Sequence, residues 1–228
     1  MKNKTKIAVF DIDGTIFRSN LQFELLSGLA YKGIFSKKTR DKIIKSYRNW
    51  LHNKSTYEDY KNELISRYRK EIKGKNKDDV VKVAQNVIAF YHARQFIYTK
   101  NLIQELRKDH FMVAISGSPV EIVKEYNQYL KFDDVFGTVY EIGHDKVYTG
   151  KEIYVPVQNK ADALKIYVAE KGISLTDSLA VGDSSADIAM LELVDYPIAF
   201  NSDEILYNYA RKKKWKIVVE RKDVIYKL

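Results

Sequence analysis

Residues 6–15 read Lys-Ile-Ala-Val-Phe-Asp-Ile-Asp-Gly-Thr, an apolar run that ends abruptly in two aspartates and a glycine. The five residues from Lys6 to Phe10 are mostly apolar without alternation, which is typical of a strand buried on both faces of a parallel sheet. In open α/β sheets, ligands bind beyond the carboxyl ends of the strands. The positions of Asp11 and Asp13 therefore predict a polar site at that edge of a sheet.

The rest of the chain alternates short apolar runs with helical patterns. Further strands are predicted at Phe111 to Ser116, Ser178 to Gly182, Ile198 to Phe200 and Trp215 to Glu220. Helices are predicted at Thr99 to Lys108, Pro119 to Leu130, Lys160 to Lys171, Ser185 to Leu193 and Asp203 to Lys213. Strands that alternate with helices of this length predict an α/β fold with a doubly wound parallel sheet.

One long stretch interrupts this alternation. Between Leu21 and about Phe96, apolar residues recur at helical spacing and no convincing strand occurs. We therefore expect a core made of residues 1–17 and 97–228 and a helical insertion at residues 18–96. A shorter interruption, Thr138 to Thr149, alternates apolar residues around Gly143 and predicts a hairpin.

The composition limits the classes of protein that need to be considered. A chain of 228 residues can bury one sizeable core, and 45% apolar with 30% charged residues excludes a mostly disordered or collagenous chain. The absence of cysteine excludes disulfide frameworks, zinc-thiolate sites, iron–sulfur clusters and a cysteine nucleophile. Since no apolar run suits a signal peptide or a membrane span, we expect a cytoplasmic protein that does not bind membranes.

The chain carries a net charge of +9, from 39 lysines and arginines against 30 aspartates and glutamates. Such a charge favours anionic ligands, phosphate esters or nucleic acid, or it serves solubility alone. Between residues 37 and 60, six basic residues lie among four aromatic ones, namely Lys37, Lys38, Arg40, Lys42, Lys45 and Arg48 with Tyr47, Trp50, Tyr57 and Tyr60. They could bind a nucleotide by charge and stacking, but we favour an amphipathic helix pair that packs its rings and leaves its charges in water.

Polar residues also follow two other predicted strands. Ser116-Gly117-Ser118-Pro119 ends the second strand, and Gly182-Asp183-Ser184-Ser185-Ala186-Asp187 ends the third. Buried carboxylates that converge without partners are costly, so such a cluster indicates a hard divalent cation. Mg²⁺ prefers oxygen ligands and is often bound by one or two carboxylates together with a substrate phosphate.

These segments resemble, in order, the four sequence motifs of the haloacid dehalogenase (HAD) superfamily. Asp11 to Thr15 resembles the first motif, Ser116 the second, Lys160 the third, and Gly182-Asp183 with Asp187 the fourth. The resemblance covers roughly residues 5–17 and 97–220, and the helical insertion has the position of a type 1 cap. It implies a three-layer, Rossmann-like α/β core with an inserted all-helical cap.

The resemblance also implies a role for each motif residue. Asp11 would be the nucleophile that forms an aspartyl phosphate, and Asp13 the general acid and base. Mg²⁺ would be held by Asp11, the backbone carbonyl of Asp13 and Asp183, with Asp187 in contact or holding a coordinated water. The phosphate-binding residues would be Thr15, Ser116, Gly117 and Lys160. Since dehalogenases lack an aspartate two residues after the nucleophile, Asp13 points to phosphoester chemistry.

The layout is similar to the phosphoserine phosphatase-like branch of the superfamily, subfamily IB, with two departures. Asn20 stands where phosphoserine phosphatases usually carry a glutamate, and Ala186 where they often carry asparagine. We therefore expect a Mg²⁺-dependent phosphomonoester hydrolase of a small phosphorylated metabolite, with Asn20 on the cap side of the substrate. The alternatives are a phosphoserine phosphatase specifically, or a basic nucleotide- or nucleic-acid-binding protein with this fold. We expect a monomer or homodimer, and a small molecule rather than a nucleic acid as its partner.

Overall fold

The computed structural model describes residues 4–228, and within them it contains one eight-stranded sheet flanked by helices. The strands are β1 (Lys6–Phe10), β2 (His110–Pro119), β3 (Asp134–Ile142), β4 (Tyr148–Tyr154), β5 (Leu179–Gly182), β6 (Tyr196–Phe200), β7 (Lys216–Arg221) and β8 (Val224–Lys227). The helices are α1 (Leu21–Tyr31), α2 (Lys37–Leu51), α3 (Tyr57–Ile72), α4 (Lys77–Tyr91), α5 (Ile97–Leu106), α6 (Val120–Leu130), α7 (Lys160–Lys171), α8 (Ile188–Leu191) and α9 (Glu204–Lys213).

The strand order is β4-β3-β2-β1-β5-β6-β7-β8. The six strands from β3 to β7 in this order run parallel, whereas β4 and β8 are antiparallel edge strands. Strand β1 lies between β2 and β5, where the order of the strands along the chain reverses direction. The carboxyl ends of these three strands are therefore adjacent at the point of the sheet where ligands usually bind.

The side chains of β1 explain the layered core. Ala8 and Phe10 pack into a cluster that includes residues of α1, α4 and α6. Ile7 and Val9 point to the opposite face, into a cluster that includes residues of α7 and α8. A strand that is apolar at every position is thus buried between two layers of helices, and the predicted doubly wound α/β fold is confirmed.

Helices α1 to α4 follow β1 and form the helical cap. Each begins after a residue whose side chain accepts a hydrogen bond from the first turn, namely Asn20, Ser36, Thr56 and Asn76. No helix within residues 4–228 is long and apolar enough to cross a membrane. The predicted insertion of helices after the first strand is confirmed.

The cap joins the core through paired backbone segments. Arg18 N donates to Arg94 O at 2.9 Å, and Phe96 N donates to Ile16 O at 3.0 Å. The segment that follows α3 also reaches β4, where Gly74 N donates to the carbonyl of Tyr148 at 2.8 Å. The entry and exit of the cap are therefore neighbours, and α3 is held close to the β3–β4 hairpin.

Aromatic rings of α2 and α3 pack against each other within the cap. The ring centroids are 5.4 Å apart for Tyr47 and Trp50, 5.1 Å for Trp50 and Tyr57, and 5.3 Å for Tyr47 and Tyr60. The lysines of α2 are exposed. This arrangement matches the amphipathic helix pair that we favoured from the sequence.

Three elements differ from the sequence-based predictions. The predicted hairpin begins earlier, because β3 pairs in parallel with β2 from Asp134 onward before it turns back into β4. Strand β8 was not predicted, since most of its residues are exposed at the sheet edge. The single helix predicted at Ser185 to Leu193 is a 3₁₀ turn followed by the one-turn helix α8.

Candidate active site

A cavity of about 390 Å³ lies at the carboxyl edge of the sheet, beneath helix α3 of the cap. Several of the predicted site residues line it, namely Asp11, Asp13, Asn20, Gly117, Lys160 and Asp183. The cavity therefore brings together residues that are up to 172 positions apart. This is because β1, β2 and β5 end at this edge of the sheet and α7 begins there.

Lys160, the first residue of α7, links two of the aspartates. Its Nζ donates to Asp11 Oδ1 at 2.5 Å and to Asp187 Oδ1 at 2.6 Å. The exposed fraction is 2% for Lys160, 5% for Asp11 and 0% for Asp187. Burial lowers the pKa of Lys160, but the two carboxylates outweigh this and hold it above its ordinary value. The lysine is therefore charged at neutral pH.

Asp11 has one oxygen bound and one oxygen free. Its Oδ1 accepts from Lys160, whereas its Oδ2 is buried and has no hydrogen-bond partner within residues 4–228. Burial raises the pKa of Asp11 to about 7, against the opposing effect of Lys160. Since buried polar atoms are almost always partnered, a free carboxylate oxygen on a residue that lines a cavity marks a position for a ligand.

Asp187 is held entirely by the protein. Besides the bond from Lys160 to Oδ1, its Oδ2 accepts from the backbone nitrogens of Asp183 at 3.1 Å and Ser184 at 3.0 Å, and from Ser184 Oγ at 3.2 Å. These bonds close the tight turn after β5. The structure thus uses both oxygens of Asp187 to shape the turn and to orient Lys160, and leaves neither free towards the cavity.

Asp183 lines the cavity, and no donor within residues 4–228 bonds to its carboxylate. Burial, with the charges of Asp11 and Asp187, raises its pKa well above the ordinary value. Gly14 lies directly against this carboxylate and has a φ of +86°. A Cβ at Gly14 would be 2.9 Å from Asp183 Cγ, so both the backbone conformation and the space require glycine there.

The residues around the cavity fit a divalent cation. Four aspartates, Asp11, Asp13, Asp183 and Asp187, surround a single lysine, so negative charge is in excess when all are ionised. Within residues 4–228, no three acidic or histidine side chains converge as metal ligands. Mg²⁺ does not need three, because it completes its octahedron with waters and substrate oxygens. Asp11 and Asp183 are the carboxylates that retain free oxygens for this purpose.

Asp13 is fixed by three donors. Its Oδ1 accepts from Leu21 N at 2.6 Å, and its Oδ2 accepts from Ser116 Oγ at 2.7 Å and from Ser118 Oγ at 2.8 Å. Burial raises the pKa of Asp13, against the opposing effect of these hydrogen bonds. Its carboxyl group is thereby held at the cavity wall between the end of β2 and the first turn of the cap.

The remaining predicted residues occupy different positions around the cavity. Ser116 is buried behind Asp13, and Gly117 lines the cavity. Thr15 is fully buried, its hydroxyl has no partner in the described residues, and the structure does not bring it to the cavity wall. Asn20 lines the cavity, but its Oδ1 already accepts from Phe23 N at 2.9 Å as the cap of α1.

Sequence reasoning missed the residues that α3 contributes. Tyr57, Lys61 and Arg69 lie on one face of α3 and line the cavity opposite the aspartates. Arg69 is 2.6 Å from Glu152 of β4, whose carboxylate also accepts from Tyr140 OH at 3.1 Å. The spacing by multiples of four residues was visible in the sequence, but it did not indicate that this face points towards the core.

Comparisons with known proteins agree with this architecture. The family model described as haloacid dehalogenase-like hydrolase matches residues 8–192. The chain is 25% identical to histidinol-phosphatase of Neisseria meningitidis serogroup C, over 96% of this chain and 99% of that protein. It is 25% identical to phosphoserine phosphatase SerB1 of Mycobacterium tuberculosis, over 93% of this chain and 70% of that protein.

Solved structures share the fold along nearly the whole chain. A protein of unknown function from Bordetella pertussis Tohama I has a TM-score of 0.75 at 16% identity, covering 94% of this chain and 98% of that one. A substrate-bound phosphoserine phosphatase has a TM-score of 0.65 at 22% identity, covering 97% and 96%. With the matched family model spanning Asp11 to Asp187, the chain belongs to the haloacid dehalogenase-like hydrolase family.

Proposed function

We propose that this enzyme is a Mg²⁺-dependent phosphomonoester hydrolase that acts on a small phosphorylated metabolite through an aspartyl phosphate on Asp11. The observation that carries the proposal is the asymmetry of Asp11, whose Oδ1 is bound by Lys160 and whose Oδ2 is buried without a partner. In this proposal, residues 1–17 and 97–228 form the catalytic core and residues 18–96 form the cap.

In the first step, a carboxylate oxygen of Asp11 attacks phosphorus and the bond from phosphorus to the ester oxygen breaks. The electron pair of that bond stays on the ester oxygen, which takes a proton from the carboxyl group of Asp13 and leaves as the alcohol. The role of Asp13 is supported by its position on the cavity wall and by the burial that raises its pKa. A group of this kind can carry a proton closer to neutral pH than an exposed aspartate.

In the second step, water attacks the phosphorus of the aspartyl phosphate while the Asp13 carboxylate takes one of its protons. The bond between phosphorus and the Asp11 oxygen breaks, and inorganic phosphate leaves. Asp11 is then a carboxylate and Asp13 is protonated, so both groups are ready for another turnover.

Three groups from the core would bind the phosphoryl oxygens. Lys160 carries the positive charge beside Asp11 and would offset the charge that develops during transfer. The Ser116 hydroxyl lies behind Asp13 near the end of β2, and Gly117, the next residue, lines the cavity. The Lys160 ammonium and the Gly117 N–H are fixed before the substrate arrives and need little reorganisation, whereas the Ser116 hydroxyl must turn from Asp13 to the phosphate.

Mg²⁺ would be held by the carboxylates of Asp11 and Asp183 and by the backbone carbonyl of Asp13. This assignment rests on the free oxygens of both carboxylates and on the negative charge around Lys160. The bound ion supplies positive charge that offsets the carboxylates and orients a phosphate oxygen. Asp187 would support the site through Lys160 and the turn after β5 rather than through a free oxygen of its own.

The substrate class that we propose is a small phosphate monoester, without a specific compound. Relatives are named for phosphoserine and for histidinol phosphate, and three of them that match over more than 90% of this chain are 24% to 25% identical to it. Asn20 carries no charge, and its Oδ1 is engaged as a helix cap. Charged groups reach the cavity instead from Lys61, Arg69 and Glu152, so we do not narrow the proposal to phosphoserine.

The test is the release of phosphate from 4-nitrophenyl phosphate by the wild-type enzyme and by Asp11→Asn, with Mg²⁺ present. The variant is expected to fold but to lose turnover, since an amide cannot act as the nucleophile. Undiminished turnover by Asp11→Asn would remove Asp11 from this role. A panel of phosphorylated metabolites, with phosphoserine, histidinol phosphate and nucleoside monophosphates included, would then identify the preferred ester.

A further inference from the structure

Ser118 is a buried serine that connects the proposed acid to the cap. Its Oγ donates to Asp13 Oδ2 at 2.8 Å and accepts from Gln22 N in the first turn of α1 at 3.1 Å. Ser118 is 2% exposed, and it also lines the cavity. The same hydroxyl thus contacts the group that would protonate the leaving alcohol and the helix that begins the cap.

In the proposed function, the neighbouring Ser116 cannot hold Asp13 throughout the reaction. Its Oγ donates to Asp13 Oδ2 at 2.7 Å and accepts from Ser118 N at 2.9 Å. A hydroxyl has a single proton to donate, so Ser116 cannot donate to Asp13 and to a substrate phosphate at the same time. When Ser116 donates to the phosphate, Asp13 Oδ2 keeps only the bond from Ser118.

The backbone around Ser118 fixes the direction of its side chain. Ser116 and Ser118 are two residues apart on β2, so their side chains point to the same face, towards Asp13. The pairing of β2 with β3 shifts its register between Ile115 and Pro119. Gly137 of β3 packs so closely there that a Cβ would lie 2.8 Å from Ser118 O. Close packing therefore leaves the backbone of Ser118 little freedom to move.

Ser118 can serve Asp13 in both of its protonation states. With Asp13 ionised, the Ser118 hydroxyl donates to it while one of its lone pairs accepts from Gln22 N. With Asp13 protonated and no ester bound, the second lone pair of the Ser118 oxygen can accept the carboxyl proton without losing the bond from Gln22. When the ester is bound, the Ser118 hydroxyl donates to the carboxyl group again, and the carboxyl proton is free for the ester oxygen. An alanine or a glycine could form neither of these bonds.

We propose that Ser118 is a positioning residue that keeps the Asp13 carboxyl aimed at the ester oxygen while Ser116 binds the phosphate. This inference rests on the proposed function, because it presumes that Asp13 gives its proton to the leaving alcohol. The proton passes from Asp13 to the ester oxygen as the bond from phosphorus breaks, and Ser118 neither gains nor loses a proton overall. Ser118 therefore acts through Asp13 and not on the substrate.

The test compares three esters that differ in how much the leaving group needs a proton. They are 4-nitrophenyl phosphate, phenyl phosphate and glycerol 2-phosphate, in order of increasing basicity of the alcohol that leaves. Ser118→Ala should lower kcat/KM for glycerol 2-phosphate about tenfold more than for 4-nitrophenyl phosphate, with phenyl phosphate between them. kcat/KM is the right quantity, because it includes the departure of the alcohol but not the later hydrolysis of the aspartyl phosphate.

Ser178→Ala is the matched control. Ser178 is equally buried, and its hydroxyl donates to Leu175 O, away from the cavity. Its removal should leave the ratio between the three esters at the wild-type value. Equal losses on all three esters by Ser118→Ala, or no loss at all, would overturn the proposal in favour of a purely structural hydroxyl.

Asp13→Asn separates this inference from the proposed function. If Asp13→Asn shows the strongest preference for 4-nitrophenyl phosphate and Ser118→Ala shows none, Asp13 is the acid and only the inference about Ser118 is wrong. If Asp13→Asn loses all three esters equally, or Asp11→Asn retains turnover, the proposed function itself is wrong. Thermal unfolding of each variant shows whether a loss of activity comes from loss of the fold.

Discussion

Replacing Gly14 with alanine would place a methyl group against the carboxylate of Asp183. The new Cβ would lie 2.9 Å from Asp183 Cγ and nearer still to Oδ2, whereas real Cβ atoms essentially never approach another heavy atom within 3.0 Å. The φ of Gly14 is +86°, so alanine would also be strained there. Since Gly14 belongs to the turn after β1, the Asp183 side chain is the part that can move.

Two effects of different size follow from this geometry. Alanine at positive φ costs about 1–2 kcal/mol, which lowers the melting temperature of a chain of this length by about 2–8 °C. In addition, Asp183 must shift by about 1 Å, and a misplacement of that size in an active site can cost about 100-fold in rate. Metal ligand distances tolerate only about 0.2 Å, so the Mg²⁺ concentration needed for half-maximal activity should also rise.

Gly33→Ala is the control for the backbone effect. Gly33 has a φ of +73°, and a Cβ there would meet no atom within 4 Å, so this variant carries the strain without the collision. We expect similar melting temperatures for the two variants but about 100-fold lower kcat/KM for Gly14→Ala alone, measured over a titration of Mg²⁺. If Gly14→Ala matches Gly33→Ala in both kcat/KM and Mg²⁺ requirement, the contact between Gly14 and Asp183 does not position a metal ligand.

Three further outcomes are expected. Lys160→Met should lower kcat/KM at least 100-fold and the free energy of unfolding by about 3–5 kcal/mol, because Asp11 and Asp187 would stay buried without a cation. Urea unfolding that matches the wild type would contradict this. EDTA should abolish turnover and lower the melting temperature, and added Mg²⁺ should restore both, whereas turnover that persists in EDTA would exclude the proposed metal. Raising salt from 50 to 200 mM should change kcat/KM on a small ester less than about tenfold, whereas a fall of about 1,000-fold in affinity for a polynucleotide would favour nucleic acid as the partner.

The fold and the carboxyl edge could be predicted because they depend on local pattern. An apolar run such as Lys6 to Phe10 is stable as a strand when the side chains on both of its faces are buried. Strands of that kind therefore need helices on both sides of the sheet. The carboxyl ends of such strands meet at one edge, so Asp11, Asp13 and Asp183 were expected to converge. Strand β8 lacks this signal, since an exposed edge strand gains little from apolar residues.

The cap side of the cavity could not be predicted, because it depends on how one element lies over another. The contact of Arg69 with Glu152 joins α3 to β4 through two residues that are 83 positions apart and belong to no shared motif. Lys61 and Arg69 have the spacing of one helix face, but a charged face usually points to solvent. Only the position of α3 above β4 turns this face towards the cavity.

The structure distinguishes four aspartates that the sequence could not rank. Asp187 accepts from Lys160, from two backbone nitrogens and from a hydroxyl, so both of its oxygens already have donors. Asp13 accepts three bonds, Asp11 accepts one and keeps Oδ2 free, and Asp183 accepts none from the described residues. A carboxylate that the fold leaves without donors is costly to bury unless something else binds it. The number of donors therefore falls from the aspartate that shapes the turn to the two whose charge, in the proposed function, Mg²⁺ would offset.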